Sequence, residues 1–243
     1  ALWGPRQLRI TAAARPPSTQ LHRTALRAVG QPCPLAEIPR CENMEKPNRI
    51  EFRVIGDSQI HVDVFEAGSI DSDSSPPAIV YFFRRQGNVQ LHYAKCMYLS
   101  SRGTTCMCAG PMPPHDYRGP EFSIAAAKSV FRFVRSHIPG IDPDRIVAAG
   151  GSGDGHMAAS CGTIELFDDI EEEKTVSCRP NALVLACPNL DWTRRASWVR
   201  RIGLERAKNV SPLHHVRQGV PSSLIMHGSS DENLDPVQAT DFM

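Results

Sequence analysis

The sequence predicts an α/β protein: a doubly wound, mostly parallel sheet with helices on both faces, preceded by an antiparallel hairpin. Short apolar runs recur at 78–83, 104–109, 145–149, 182–186 and 223–226, and segments with helical periodicity lie between them. Strands that alternate with helices at this spacing are joined by right-handed crossovers, so neighbouring strands run parallel.

The hairpin comes first along the chain. Residues 50–55 and 60–65 alternate apolar and polar side chains, and a Gly-Asp-Ser sequence separates them. Alternation with period two is typical of strands with one buried face, and Gly-Asp favours a tight turn. The next run, 78–83, is continuously apolar, as expected for a strand that is covered on both faces.

The clearest helix follows the second run of the sheet. Ala127, Phe131, Val134 and Ile138 recur at the spacing of a buried helical face, and a Pro-Gly pair comes directly after them. This pattern predicts a helix that packs on the sheet and ends near residue 138.

Charge and composition exclude several classes of partner. The 27 Lys and Arg against 26 Asp and Glu leave a net charge of +1, so no electrostatic surplus favours nucleic acid or an anionic membrane. No apolar run approaches the roughly 18 residues of a membrane span, and we expect a soluble protein. Up to Ala36 the chain carries five arginines and no acidic residue. We interpret residues 1–48 as a basic, poorly ordered segment that precedes a folded domain at 49–243.

The eight cysteines are scattered along the chain. They include no CxxC pair, and no histidines stand at a matching spacing, so the pattern predicts neither a metal site nor a cofactor. We expect mostly free, buried thiols, and a single disulfide remains open.

The segment with the strongest chemical signal joins the run at 145–149 to an Ala-rich helix. The connecting sequence is Gly-Gly-Ser-Gly-Asp-Gly-His, with Ser152 at its apex. Small neighbours let the backbone turn sharply and project the hydroxyl, which is the arrangement of a nucleophile elbow. The alternative is a turn that caps the helix or holds a phosphate, although the P-loop lysine and the full GxGxxG spacing are missing.

Together with the segment 177–185, the Ser-Pro-Leu turn at 211–213 and the His-Gly-Ser-Ser-Asp run at 227–231, this motif resembles the serine esterase/lipase branch of the α/β-hydrolases. The similarity is to acetyl-esterase-like and acetyl-xylan-esterase-like enzymes, from about residue 76 onward. It implies a serine carboxylic-ester hydrolase for small acyl esters, with acetylated carbohydrate among the candidate substrates and no cofactor.

The resemblance also implies roles for individual residues. Ser152 would be the nucleophile and Asp231 the acid that orients the catalytic histidine, with Asp235 as a competing candidate for the acid. The backbone N–H groups of Gly153 and Gly87 would hold the oxyanion.

Two departures from the family pattern concern charge. Asp154 stands where relatives carry glycine, close to the position at which negative charge develops. Arg84 and Arg85 replace the glycine-rich run of the oxyanion loop. The simplest interpretation of these arginines is a solvated basic loop; alternatively, one of them replaces the lost donor or pairs with Asp154.

A third departure concerns the base. The catalytic histidine follows the acid in this fold, but no histidine follows Asp231 before Met243. We therefore expect that the chain lacks the C-terminal end of its domain and turns over little substrate. We interpret the other histidines as packing or loop residues: His115, His156, His214, His215 and His227. Two further hypotheses stay open, an inactive hydrolase-fold binding protein and a truncated gene product.

Overall fold

The computed structural model describes residues 8–13, 47–55, 58–68, 74–84, 86–113, 119–170, 172 and 174–243. The strands are β1 (Leu8–Ala13), β2 (Asn48–Ile55), β3 (Ser58–Phe65), β4 (Ala78–Phe82), β5 (Thr105–Gly110), β6 (Ile146–Gly151), β7 (Ala182–Pro188) and β8 (Ser222–Gly228). The α-helices are α1 (Gln86–Ser100), α2 (Pro120–His137), α3 (Ser152–Thr163), α4 (Ala196–Ile202), α5 (Leu204–Asn209) and α6 (Val237–Phe242).

These strands form one sheet in the order β1-β8-β7-β6-β4-β5-β3-β2. The five strands β4 to β8 pair in parallel, whereas β2, β3 and β1 pair antiparallel to their neighbours. The predicted class is therefore confirmed, including the hairpin, which is β2 and β3 at one edge of the sheet. The predicted helix ending near residue 138 is α2.

Helices cover both faces of the sheet, and alternate residues of each central strand separate the two layers. Val80 of β4 packs in the large core with Phe131 of α2 and Met157 of α3. Ile79, the neighbouring residue of β4, packs on the opposite face with Cys96 of α1. Burial on both faces explains why this strand is continuously apolar.

Strand β1 was not expected from the sequence. It pairs antiparallel with β8, with Leu8 opposite Gly228 and Ala13 opposite Ser223. The poorly ordered segment predicted at 1–48 is otherwise described only at Pro47 and Asn48, so that prediction stays open for the rest.

No helix in the described part of the chain has both the length and the apolar character that a bilayer crossing requires. Six of the cysteines lie in that part, and each is a free thiol. This agrees with the expectation of unpaired, mostly buried cysteines.

Candidate active site

Ser152 lies at the turn from β6 into α3, where its backbone φ is +52°. A left-handed φ costs a residue other than glycine on the order of 1 kcal/mol, and such residues are concentrated at functional turns. The turn is tight because Gly150 has no side chain: a Cβ there would lie 2.5 Å from the backbone of Asp154. An exposed serine on a strained strand-to-helix turn is the geometry of a nucleophile elbow.

The backbone around Ser152 is tied to the next strand. Its carbonyl accepts a hydrogen bond of 3.0 Å from the N–H of Asn189, and Ser152 bridges to Pro188 at the end of β7. Gly153 is buried in the first turn of α3, where backbone N–H groups have no partner within the helix. Its N–H is therefore available to a ligand oxygen beside Ser152.

Arg84 lies against this turn. Its Nε donates a 3.0 Å hydrogen bond to Oδ1 of Asp154, so the interpretation of Arg84 as part of a solvated loop is wrong and the alternative, a pair with Asp154, is correct. A Cβ on Gly153 would lie 2.5 Å from Cζ of Arg84. The guanidinium of Arg84 thus packs against Gly153, the residue that follows Ser152.

The Arg84–Asp154 pair is partly withdrawn from solvent. The exposed fractions of the two side chains are 33% and 15%. Burial raises the pKa of Asp154, and the charge and hydrogen bond of Arg84 oppose that rise. The cation of Arg84 therefore holds the Asp154 carboxylate in place.

The predicted oxyanion loop after β4 is short, because α1 begins at Gln86. Gly87 is therefore the second residue of a helix and not part of the loop. Its role as an oxyanion donor stays a prediction. Arg85 lies outside the described residues.

Asp231 lies in the loop after β8 and is fixed by that loop. Its Oδ1 accepts hydrogen bonds from the N–H groups of Asn233 at 2.9 Å and Leu234 at 3.1 Å, and its Oδ2 lies 3.3 Å from Nε2 of His227. Burial raises the pKa of this carboxyl, but these hydrogen bonds and the nearby imidazole lower it, and the net shift is downward. The side chain is therefore an anchored carboxylate.

Asp235, the competing candidate, is in a different environment. Its side chain is 50% exposed and pairs with Arg194 over 3.2 Å. It also accepts a hydrogen bond from the N–H of Val237 at the start of α6. These contacts indicate a structural role at a helix terminus.

The fold brings Ser152 and Asp231 to the same edge of the sheet. β6, β7 and β8 are successive parallel strands, so the residues that follow β6 and β8 lie at the same, carboxyl-terminal edge. An open pocket of about 320 Å³ borders Asp231, with Arg194 and Gln238 among its lining residues.

The histidines behave mainly as packing residues. His156 on α3 is fully buried, and its Nε2 bonds the carbonyl of Val210 at 2.7 Å. His227 is 6% exposed, and its Nε2 donates to the carbonyl of Leu234 at 2.9 Å. His115 lies outside the described residues. Within the described ranges, no histidine is hydrogen-bonded to the Ser152 hydroxyl.

Sequence reasoning missed one group at this edge. Cys187, His227 and Asp231 each place a potential metal ligand within 4.8 Å of the other two. Because about 40 residues separate Cys187 from His227, no spacing motif reveals the group; the only available signal was that each residue stands near the end of a predicted strand.

The chain was compared with known proteins. No protein-family model matches it, and no related sequence was found among curated proteins. Solved structures do match. The apo form of Thermogutta terrifontis esterase 2 is 28% identical with a TM-score of 0.71, over 82% of this chain and 80% of that one. The propionate-bound form is 27% identical with a TM-score of 0.69, over 84% and 80%.

A third form of the same esterase, phosphoramylated by tabun, is 28% identical with a TM-score of 0.69, over 82% of this chain and 79% of that chain. The α/β-hydrolase fold that the sequence predicts is thus the fold that this chain shares with esterases.

Proposed function

We propose that the protein is a serine carboxylic-ester hydrolase that acts on small acyl esters, with Ser152 as the nucleophile. The observation that carries the proposal is the strained elbow: a serine at φ +52° between a parallel strand and a helix N-terminus. A strained backbone persists only where the surrounding structure stabilises it, and here it exposes a hydroxyl beside a free N–H.

The similar structures support small acyl esters as the class of substrate. Thermogutta terrifontis esterase 2 has been solved with bound propionate, with bound butyrate and phosphoramylated by tabun. Small acyl groups are therefore the first substrates to test for this chain, and acetylated carbohydrate is a narrower candidate within the same class.

In the proposed reaction, Oγ of Ser152 attacks the acyl carbon and its proton passes to an imidazole that Asp231 orients. No histidine in the described part of the chain is hydrogen-bonded to Ser152, so imidazole added to the solution supplies this group in the test below. The N–H of Gly153 and the guanidinium of Arg84 face the oxygen on which negative charge develops. The leaving alcohol takes the proton from the imidazole, and water then releases the acid from Ser152. Arg84 also neutralises Asp154, which would otherwise repel the intermediate.

The magnitude of that repulsion shows why Arg84 matters. Two like charges about 7 Å apart repel by roughly 2.4 kcal/mol at an effective dielectric constant of about 20. This would slow the acyl-transfer step by about fiftyfold. A cation on the same carboxylate removes most of this penalty.

The test measures covalent labelling and hydrolysis together. We expect an organophosphonate to label Ser152 of the wild-type protein, to leave Ser152→Ala unlabelled, and to label Ser197→Ala, a control at an exposed serine of α4, as the wild type. The wild type and Ser197→Ala should hydrolyse chromogenic acetate, propionate and butyrate esters, and Ser152→Ala should not. Added imidazole should accelerate this hydrolysis, because it accepts the proton of Ser152. A folded protein that is neither labelled nor active would contradict the proposal and favour a binding role.

A further inference from the structure

Three side chains with different metal-binding atoms converge at the carboxyl-terminal edge of the sheet, and Asp231 is one of them. Cys187 is the penultimate residue of β7 and His227 the penultimate residue of β8. Because Ala186 lies opposite Met226 in the parallel register, Cys187 and His227 occupy neighbouring positions at one edge of the sheet. One potential ligand atom from each of Cys187, His227 and Asp231 lies within 4.8 Å of the other two.

The distances are close to those of a tetrahedral metal site. Bonds of about 2.0–2.3 Å to Zn²⁺ place ligand atoms roughly 3.3–3.8 Å apart. Nε2 of His227 and Oδ2 of Asp231 are already 3.3 Å apart. The carbonyl oxygen of Leu234 lies 2.9 Å from the same nitrogen. The ligand atom of Cys187 lies within 4.8 Å of both other ligand atoms, so small side-chain movements would complete a compact set.

The electrostatics of the cluster favour a cation. The N–H of His227 faces both the carboxylate of Asp231 and the carbonyl of Leu234, and the thiol of Cys187 interacts with the same carboxylate. Two oxygen acceptors therefore face one imidazole proton. A divalent cation in place of that proton would satisfy the same acceptors with a larger charge.

We propose that Cys187, His227 and Asp231 form a binding site for a divalent transition-metal ion of the Zn²⁺ class, with the Leu234 carbonyl or water as the fourth ligand. A thiolate, an imidazole and a carboxylate together suit Zn²⁺ and Co²⁺, whereas Mg²⁺ and Ca²⁺ require oxygen ligands. Of the three residues, Asp231 borders the open pocket, so an ion would approach the cluster from the side of this carboxylate.

Metal binding would inhibit the proposed hydrolysis. Asp231 cannot orient an imidazole while its carboxylate is bound to an ion, so occupancy of the site would withdraw the acid from the reaction. This consequence rests on the proposed function, whereas binding of the ion itself does not.

The direct test is a Co²⁺ titration of the whole chain, followed by absorption. We expect a thiolate-to-cobalt charge-transfer band in the wild type that Zn²⁺ removes by competition. Cys187→Ser should lose the band and bind Co²⁺ at least about tenfold more weakly. Cys178→Ser, a control at a half-buried thiol outside the cluster, should keep both. An absent band, or a band that survives in Cys187→Ser, would overturn the proposal.

A second measurement separates the two proposals. Zn²⁺ should slow ester hydrolysis by the wild type, a chelator should restore it, and Cys187→Ser should resist inhibition by at least about tenfold in Zn²⁺ concentration. Thermal unfolding in metal-free buffer verifies that Cys187→Ser is folded. If the protein hydrolyses no ester but shows the cobalt band, the metal site stands and the proposed function fails. If it is active but binds no ion, the reverse holds.

Discussion

Two strand-to-helix turns meet at the candidate site, and they are stabilised in opposite ways. The turn from β6 to α3 depends on the absence of side chains, because a Cβ at Gly150 would overlap the backbone of Asp154. The turn from β4 to α1 depends on a charged side chain, because Arg84 reaches across to Asp154. The first turn shapes the nucleophile through its backbone, and the second controls charge around it.

The two turns therefore differ in how well they tolerate substitution. A close backbone approach has no alternative arrangement, so a substitution there must distort the elbow. An ion pair that is partly open to solvent, as at Arg84 and Asp154, can be altered on one side and compensated on the other. Substitutions at the first turn should therefore have larger effects than substitutions at the second.

Gly150→Ala should destroy the elbow. The new Cβ would lie 2.5 Å from the Asp154 backbone, and neither backbone segment can move without disturbing the sheet or α3. We expect a loss of more than about 3 kcal/mol in the free energy of unfolding, measured by urea denaturation, together with loss of labelling at Ser152. Gly228→Ala is the control, because a Cβ there meets nothing within 4 Å; equal effects of both substitutions would contradict the assignment.

The helix behind the elbow should lose stability in acid. Burial, aided by the charge of Arg84, lowers the pKa of His156 to about 4, although its bond to Val210 opposes the shift. Between pH 6.5 and 4 the unfolded chain therefore binds a proton that the folded protein does not. Stability should fall as pH falls through this window, by about 3 kcal/mol in total at its lower end.

The measurement compares urea unfolding of the wild type and His156→Gln from pH 7 to 4. Burial also lowers the pKa of His92 to about 4, so the difference between the two proteins isolates the share of His156. The wild type should lose stability more steeply on acidification. Parallel pH profiles of the two proteins would refute the assignment.

At the second turn, removing Asp154 should restore most of the hydrolysis rate that is lost when Arg84 is removed. Arg84→Ala leaves Asp154 without its cation, and we expect kcat/KM for a short-chain ester to fall by up to about fiftyfold. Adding Asp154→Ala should recover most of the loss, because the repelling charge is then gone. Arg200→Ala, at an exposed arginine of α4, should have no effect. A double variant as slow as Arg84→Ala would show that the guanidinium acts on the oxyanion alone.

Local sequence predicted the central elements of the fold well. The period-two alternation of β2 and β3, the continuous apolar run of β4 and the buried face of α2 each follow from side chains within one element. The elbow at Ser152 could also be predicted, because a serine among glycines between a strand and a helix is typical of few other structures. β1 was not, because its position depends on pairing with β8, more than 200 residues further along the chain.

The parallel sheet, the turn that carries Ser152 and the loop that carries Asp231 could be predicted from the sequence, since hydrophobic periodicity and backbone freedom are properties of neighbouring residues. The pair of Arg84 with Asp154 and the meeting of Cys187 and His227 beside Asp231 could not, because they exist only in the folded chain. Such contacts join residues 40 to 70 positions apart. They form because strand order and register bring particular side chains to one edge of the sheet, and no local pattern records that geometry.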